Sequence, residues 1–277
     1  MASQKKKIGL ALSGGAVLGI AHLGVIKVLE ENQIPIDLIA GTSAGSLVGA
    51  LLAAGYSSDE MFRMIKSLSW GKLSKLTIPK MGLLNSKLLG RFLESELGRI
   101  DIADLPKPFA AVAVDLTSGK QVILREGPVS EAVRASCAIP GIFTPLVREK
   151  QVLVDGGVLN FLPTDVVRKM GADYVIAVKL TPSIKNKKPP ESIFQILLNS
   201  FQLGIAQIAE HAPDGDVTIV PDLTGLNPHD FKQAETLFQR GYDAALVAIE
   251  QIRHDLTPSG ILSNLMKSIR KRRIHSE

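Results

Sequence analysis

The chain alternates short apolar runs with longer segments whose apolar residues recur every three to four positions. The runs read as strands: Lys7–Leu12, Leu38–Ala40, Phe109–Leu116, Gln121–Arg125, Gln151–Val154, Tyr174–Lys179 and Val217–Val220. The periodic segments read as helices: Leu18–Glu31, Ala44–Ala54, Ser58–Lys66, Ser86–Leu97, Val129–Ser136, Pro163–Met170, Ser192–His211 and Phe231–Leu256. Gly19 and Gly24 are weak points of the first helix. Strands alternating with helices predict a three-layer α/β/α fold with a mostly parallel central sheet. Functional groups in such a fold gather at the carboxyl ends of the strands.

Two strand-to-helix junctions carry chemistry. Gly41-Thr42-Ser43-Ala44-Gly45 is a G-x-S-x-G pentapeptide between an apolar run and a helix. Gly41 and Gly45 leave room for a sharp turn, and a serine at its apex is held out from the backbone. Small residues at a tight strand–helix contact are the plainer reading of the same pattern. Ser13-Gly14-Gly15-Ala16 follows the first strand and opens the first helix, so its backbone N–H groups converge on a small volume. It lacks the lysine of a phosphate-binding loop and does not fit G-x-G-x-x-G. It suits instead an oxyanion hole for a serine some thirty residues on.

A serine nucleophile needs a base. His22, His211, His229, His254 and His275 all lie in helices, loops or the tail, and none falls in a recognisable motif. Asp155-Gly156-Gly157 ends the strand Gln151–Val154 abruptly, which makes Asp155 a candidate; an ordinary turn is the alternative.

Leu12 to Gly19, Gly41 to Gly45 and Asp155 to Gly157 together resemble the signatures of patatin-like phospholipases, serine acyl hydrolases with a Ser–Asp dyad and no catalytic histidine. Arg134 to Pro145 and Asp115 to Gly119 are similar to further segments of that family, so the resemblance runs from about Lys7 to Asp222. It implies Ser43 as nucleophile, Asp155 as base, the backbone N–H groups of Gly14, Gly15 and Ala16 as oxyanion hole, and a lipid ester as substrate. The family's first motif usually carries a third glycine and a basic residue where this chain has Ala16 and Leu18. That departure leaves a slow enzyme, or a regulator that keeps the fold without the activity, as the alternative.

Composition narrows the setting. The chain has 277 residues, 45% of them apolar, which suffices for one large domain, read as residues 1–258, followed by a tail over 259–277. A single cysteine, Cys137, excludes an internal disulfide and points to the cytoplasm. No cofactor or metal is implied. The net charge of +5 comes from the ends, Lys5 to Lys7 and the run Lys267 to Arg273. The body between them is slightly acidic, which argues against nucleic-acid binding. Ile8–Ile26 and Ile39–Ala54 have a membrane-like look, but both read as core strand–turn–helix units. The tail places Ile261, Leu262, Leu265, Met266 and Ile269 on one helical face and basic residues on the other, the pattern of weak contact with an anionic membrane. Trp70–Asn85 reads as a surface loop or a cap near the site, and Pro182–Glu191 as a polar loop. The helix Ser192–His211 has apolar residues on more than one face, so it either packs deeply or forms a homo-oligomer interface.

Overall fold

A computed structural model describes residues 6–66, 75–76, 81–181 and 189–257. The expected membrane-contact tail, most of the expected cap and most of the Pro182–Glu191 loop lie outside the described residues.

In chain order the elements are β1 (Ile8–Leu12), α1 (Ile20–Glu31), β2 (Leu38–Thr42), α2 (Ala44–Ala53), α3 (Ser58–Lys66), β3 (Lys75–Leu76), β4 (Leu84–Asn85), α4 (Lys87–Leu97), β5 (Phe109–Asp115), β6 (Lys120–Leu124), α5 (Val129–Ser136), β7 (Leu146–Arg148), β8 (Gln151–Asp155), α6 (Thr164–Lys169), β9 (Tyr174–Val178), α7 (Ile193–Glu210), β10 (Val217–Ile219) and α8 (Ala234–Leu256). The apolar periodicity located the long helices well. It did not reveal β7, nor the 3-10 turns Ala16–Gly19 and Phe231–Gln233 that precede α1 and α8.

The sheet is parallel through β10-β9-β1-β2-β5, then turns antiparallel. All five residues of β1, β2 and β9 are buried, as expected of strands covered on both faces. One face carries the larger core under α1, α2, α5 and α8; the other packs Ala11, Ala40 and Val112 against Val166 and Val167 of α6. This is the three-layer α/β/α arrangement. Gly24 proves to be a contact point rather than a weak one. A Cβ there would overlap the Phe238 carbonyl of α8, and one on Gly241 would overlap the Ala21 carbonyl of α1, so the two glycines let these helices touch backbone to backbone.

The antiparallel part decides where the site forms. β6 pairs with β5 from Ala111 to Asp115 and fills one edge of it. β2 pairs with Phe109 to Val112 and β8 with Ala113 to Asp115, so both must share the other edge, end to end. They approach from opposite directions. The carboxyl end of β2 at Thr42 and that of β8 at Asp155 therefore meet beside Val112 and Ala113.

Candidate active site

Ser43 sits at this junction. Its backbone is left-handed (φ 52°), rare for a residue with a side chain, and it caps α2. The turn is possible because Gly41 and Gly45 have no side chains. A Cβ on Gly41 would strike the Gly45 carbonyl, and one on Gly45 would strike the carbonyl of Leu12. Ser136, at the end of α5, closes the gap between the two strand ends. Its hydroxyl donates to the Val112 carbonyl (2.6 Å) and its oxygen accepts the Ser43 N–H (2.9 Å). The turn is thus pinned by three elements that are far apart in sequence.

Asp155 is fully buried. Its backbone N–H donates to the Ala138 carbonyl (2.9 Å), and its Oδ1 accepts the Gly157 N–H (2.8 Å). Oδ2 is buried and closes no hydrogen bond of ordinary geometry. Burial raises the carboxyl to about 7, while the neighbouring Ser43 hydroxyl and the Gly157 N–H pull the other way. The Ser43 hydroxyl is therefore near enough to be felt without yet forming a well-aligned bond. Burial and Asp155 also push the Cys137 thiol up, so it remains a neutral thiol beside the site.

The glycine loop lies against the same serine. A Cβ on Gly14 would stand 3.4 Å from that of Ser43. The three N–H groups expected to act together differ. Gly14 donates to the Phe161 carbonyl (3.2 Å), which removes it from a free trio. Among the described residues, Gly15 and Ala16 have no protein acceptor for theirs. Ala16 adopts φ 51°, a conformation that favours glycine. Leu18 is 1% exposed and packs in the core, with its N–H on the Gly15 carbonyl (3.1 Å), so a basic residue at this position would have to be buried beside the turn.

His22 and Ser13 brace the loop from behind. His22 is fully buried, and its Nε2 bonds the Ser13 carbonyl (2.9 Å); burial lowers its pKa to about 4, so it is neutral and donates. Ser13 Oγ accepts the Leu180 N–H (2.8 Å) and donates to the Gly14 carbonyl (3.1 Å). His211 and His254 lie elsewhere, and His275 is outside the described residues. His229 lies near the loop. The Pro228 carbonyl accepts the Val17 N–H (3.0 Å), and His229 lines the space in front of Gly14 and Gly15. Neither His22 nor His229 stands in a motif that sequence reasoning could have used. The Asp115–Gly119 segment is a turn rather than part of the site. Asp115 Oδ1 accepts from Thr117 and Val152 and Oδ2 from Ser118, and these bonds hold its pKa down, Ser118 foremost.

Ser43 faces two cavities. One, of about 110 Å³, is lined almost wholly by apolar groups including Val17, Leu47, Val48, Leu89 and Phe143. The other, of about 40 Å³, holds the Gly14–Ala16 backbone, Gln202 and His229. Among the described residues no cluster could hold a metal ion, and no helix is long and apolar enough to cross a membrane.

A serine on a strained strand–helix turn thus lies beside a buried carboxyl group and, among the described residues, two N–H groups without a protein acceptor. The family model for patatin-like phospholipases matches residues 10–168, more than half the chain, and the protein belongs to that family. It is 39% identical over 184 residues to an uncharacterized NTE family protein of Mycobacterium bovis, covering 65% of this chain and 51% of the relative. A second such protein from the same organism is 31% identical over 274 residues, covering 88% and 47%. Patatin-like phospholipase domain-containing protein 6 of mouse is 35% identical over 181 residues, covering 62% of this chain and 13% of its own. The chain spans about half the length of the mycobacterial relatives. Among solved structures, VipD of Legionella pneumophila shares the fold at a TM-score of 0.52 and 14% identity, covering 90% of this chain and 67% of its own.

Proposed function

We propose that the protein is a serine acyl hydrolase of lipid esters in the cytoplasm, with Ser43 as nucleophile and Asp155 as its base. The observation that carries this reading is the meeting of the β2 and β8 ends. It sets an unpartnered carboxylate oxygen beside a serine hydroxyl at the mouth of an apolar cavity. A carboxyl raised to about 7 is a far better base for an alcohol than one at 3.8, and burial is what raises it. Ser43 Oγ attacks the ester carbonyl carbon while its proton passes to Asp155. The carbonyl oxygen, now negative, takes the Gly15 and Ala16 N–H groups. The ester C–O bond breaks, and the departing alcohol takes the proton from Asp155. Water then repeats the sequence on the acyl-enzyme, giving up a proton to Asp155, and the acid leaves as Ser43 regains its hydrogen.

A fluorophosphonate probe tests the nucleophile. It is expected to label the wild type and not Ser43→Ala, and the same variant is expected to lose hydrolysis across p-nitrophenyl esters, lysophospholipids and phospholipids. Equal labelling of both proteins overturns the assignment. The second reading, a patatin-fold regulator, draws on Ala16 in its unfavourable conformation and on the engaged Gly14 N–H. It expects no labelling and no turnover in the wild type.

A further inference from the structure

The smaller cavity holds polar groups that the serine, the aspartate and the backbone donors do not account for. Gln202 lies on the inner face of α7 between Leu198 and Ile205 and is only 7% exposed. An amide in an apolar helix face is tolerated only when it is hydrogen-bonded. Leucine would serve packing better at that position. Its Nε2 lies 3.2 Å from His229 Nε2. His229 in turn is tied to the glycine loop through the bond from Val17 to Pro228 and its own N–H to Asn227 Oδ1 (2.9 Å). The pair therefore joins α7 to the loop that carries the Gly15 and Ala16 N–H groups, and it faces the same space as Ser43.

Both cavities are walled mainly by apolar groups, but only the smaller of the two carries the Gln202–His229 pair, and that difference divides the ester. The larger cavity suits the acyl chain. The other has room for hydroxyl-sized or water-sized groups, not for a second chain. We infer that Gln202 and His229 form a specificity site for the alcohol half of the ester, where they hydrogen-bond a free hydroxyl on the carbon adjacent to the one that bears the ester oxygen. An amide and an imidazole each donate and accept, as a hydroxyl does, so the match needs no charge. Substrates of this class are partial esters of polyols. Esters of simple alcohols leave the pair facing a methylene. A site built to bond a hydroxyl discriminates strongly against the analogue that lacks it, because a methylene cannot replace the bonds that the hydroxyl makes.

This inference rests on the acyl-hydrolase reading, and the experiment separates the two. kcat/KM is measured for 1-hexanoylglycerol and for propyl hexanoate, which share the acyl chain and differ in the two hydroxyls. The wild type is expected to favour the glyceryl ester by at least tenfold. In Gln202→Leu and in His229→Leu, measured independently in case one fails to fold, that ratio is expected to fall to within threefold of unity. Rescue is expected in Gln202→Glu, which replaces the amide donor beside His229 by a carboxylate of the same shape that an imidazole N–H can bond, and recovers part of the ratio. A wild-type ratio near one overturns the inference. So does a ratio unchanged in the folded variants, whether or not both rates drop together; either result leaves the Ser43 assignment standing. A wild type that hydrolyses neither ester, and is not labelled by fluorophosphonate, overturns both.

Discussion

Replacing Asp155 by asparagine should stabilise the fold at neutral pH while abolishing turnover. In the folded protein burial lifts the Asp155 carboxyl from 3.8 to about 7. At roughly 1.4 kcal/mol per pH unit, that rise sets a ceiling of about 4 kcal/mol on the cost of ionising it in place. The sign follows from proton binding. Below pH 4 both states hold the proton and no penalty exists. Between 4 and 7 the unfolded chain loses it while the folded protein keeps it, so stability falls as pH rises, and above 7 the full cost applies. The asparagine amide does not titrate. Its oxygen can still accept the Gly157 N–H, and its NH₂ group takes the place of the unpartnered oxygen, facing Ser43 as a donor where catalysis needs an acceptor. His22 works in the opposite direction over the same range. Burial depresses it to about 4, so protonation of the unfolded chain below 6.5 removes up to about 3 kcal/mol as pH falls. The two terms nearly cancel in the wild type, so its own pH profile shows little. The difference between wild type and Asp155→Asn isolates one group. Urea unfolding of both at pH 4.5, 6 and 8 should show the variant's advantage to be larger at pH 8 than at pH 4.5, by about 2 kcal/mol or more. A difference that stays flat across this range would falsify the claim that Asp155 is buried without a compensating charge.

Other outcomes follow from the same geometry. In activity, Ser43→Ala and Asp155→Asn should each be nearly dead and the double variant little worse, since a nucleophile and its base fail as a unit; additive losses in kcat would argue for separate roles. Ala16→Gly should raise stability by about 1 kcal/mol in thermal or urea unfolding, because it relieves a left-handed residue that carries a methyl group. Leu18→Arg should lower stability by several kcal/mol and bring no gain in rate, since the side chain is buried in the core; a folded, faster variant would show that the arginine reaches the turn. His22→Ala should cost about 1–3 kcal/mol of stability through the lost Ser13 bond and the space left behind, and the loss of stability as pH falls from 6.5 to about 4 should disappear from the Asp155→Asn background when it is added.

The sequence displayed what is local. Ser43 and the loop from Ser13 to Ala16 could be read directly because a sharp turn needs Gly41 and Gly45 within two residues of its apex, and because a glycine run at a strand end has few other uses. The strands and long helices were legible for the same reason, since periodicity is a property of neighbours. Locally, Asp155 is marked only as a carboxylate at an abrupt strand end, a pattern that an ordinary turn shares. Its position depends on β8 running antiparallel along the last three residues of β5, a pairing that involves Leu153 and Asp115 across nearly forty positions. β7, three residues long, has too short a pattern to be seen, yet it supports β8 from the other side. The expectation of a mostly parallel sheet holds for the half that carries Ser43, whereas the half that carries Asp155 is antiparallel.

That division has a physical basis. Two parallel strands on one edge of β5 would present a carboxyl end to an amino end, and a nucleophile and its base could not both sit at the junction of their tips. Reversing β8 brings two carboxyl ends together, and the strand needs only three residues of pairing to do it. Val112, left between them, would have an orphaned carbonyl in the middle of a sheet, which is costly when buried. Ser136 supplies the missing donor and, with the same oxygen, accepts the Ser43 N–H. The break in the sheet is thus repaired by a single hydroxyl that also fixes the backbone of the proposed nucleophile. Ser136→Ala should therefore disturb both at once, leaving the Val112 carbonyl and the Ser43 N–H unpaired. Stability should fall by about 2 kcal/mol or more, beyond the loss of one ordinary hydrogen bond. Fluorophosphonate labelling of Ser43 in the folded variant should slow, because the left-handed turn has lost its tether. Labelling at the wild-type rate in a destabilised variant would mean that the repair serves the sheet alone.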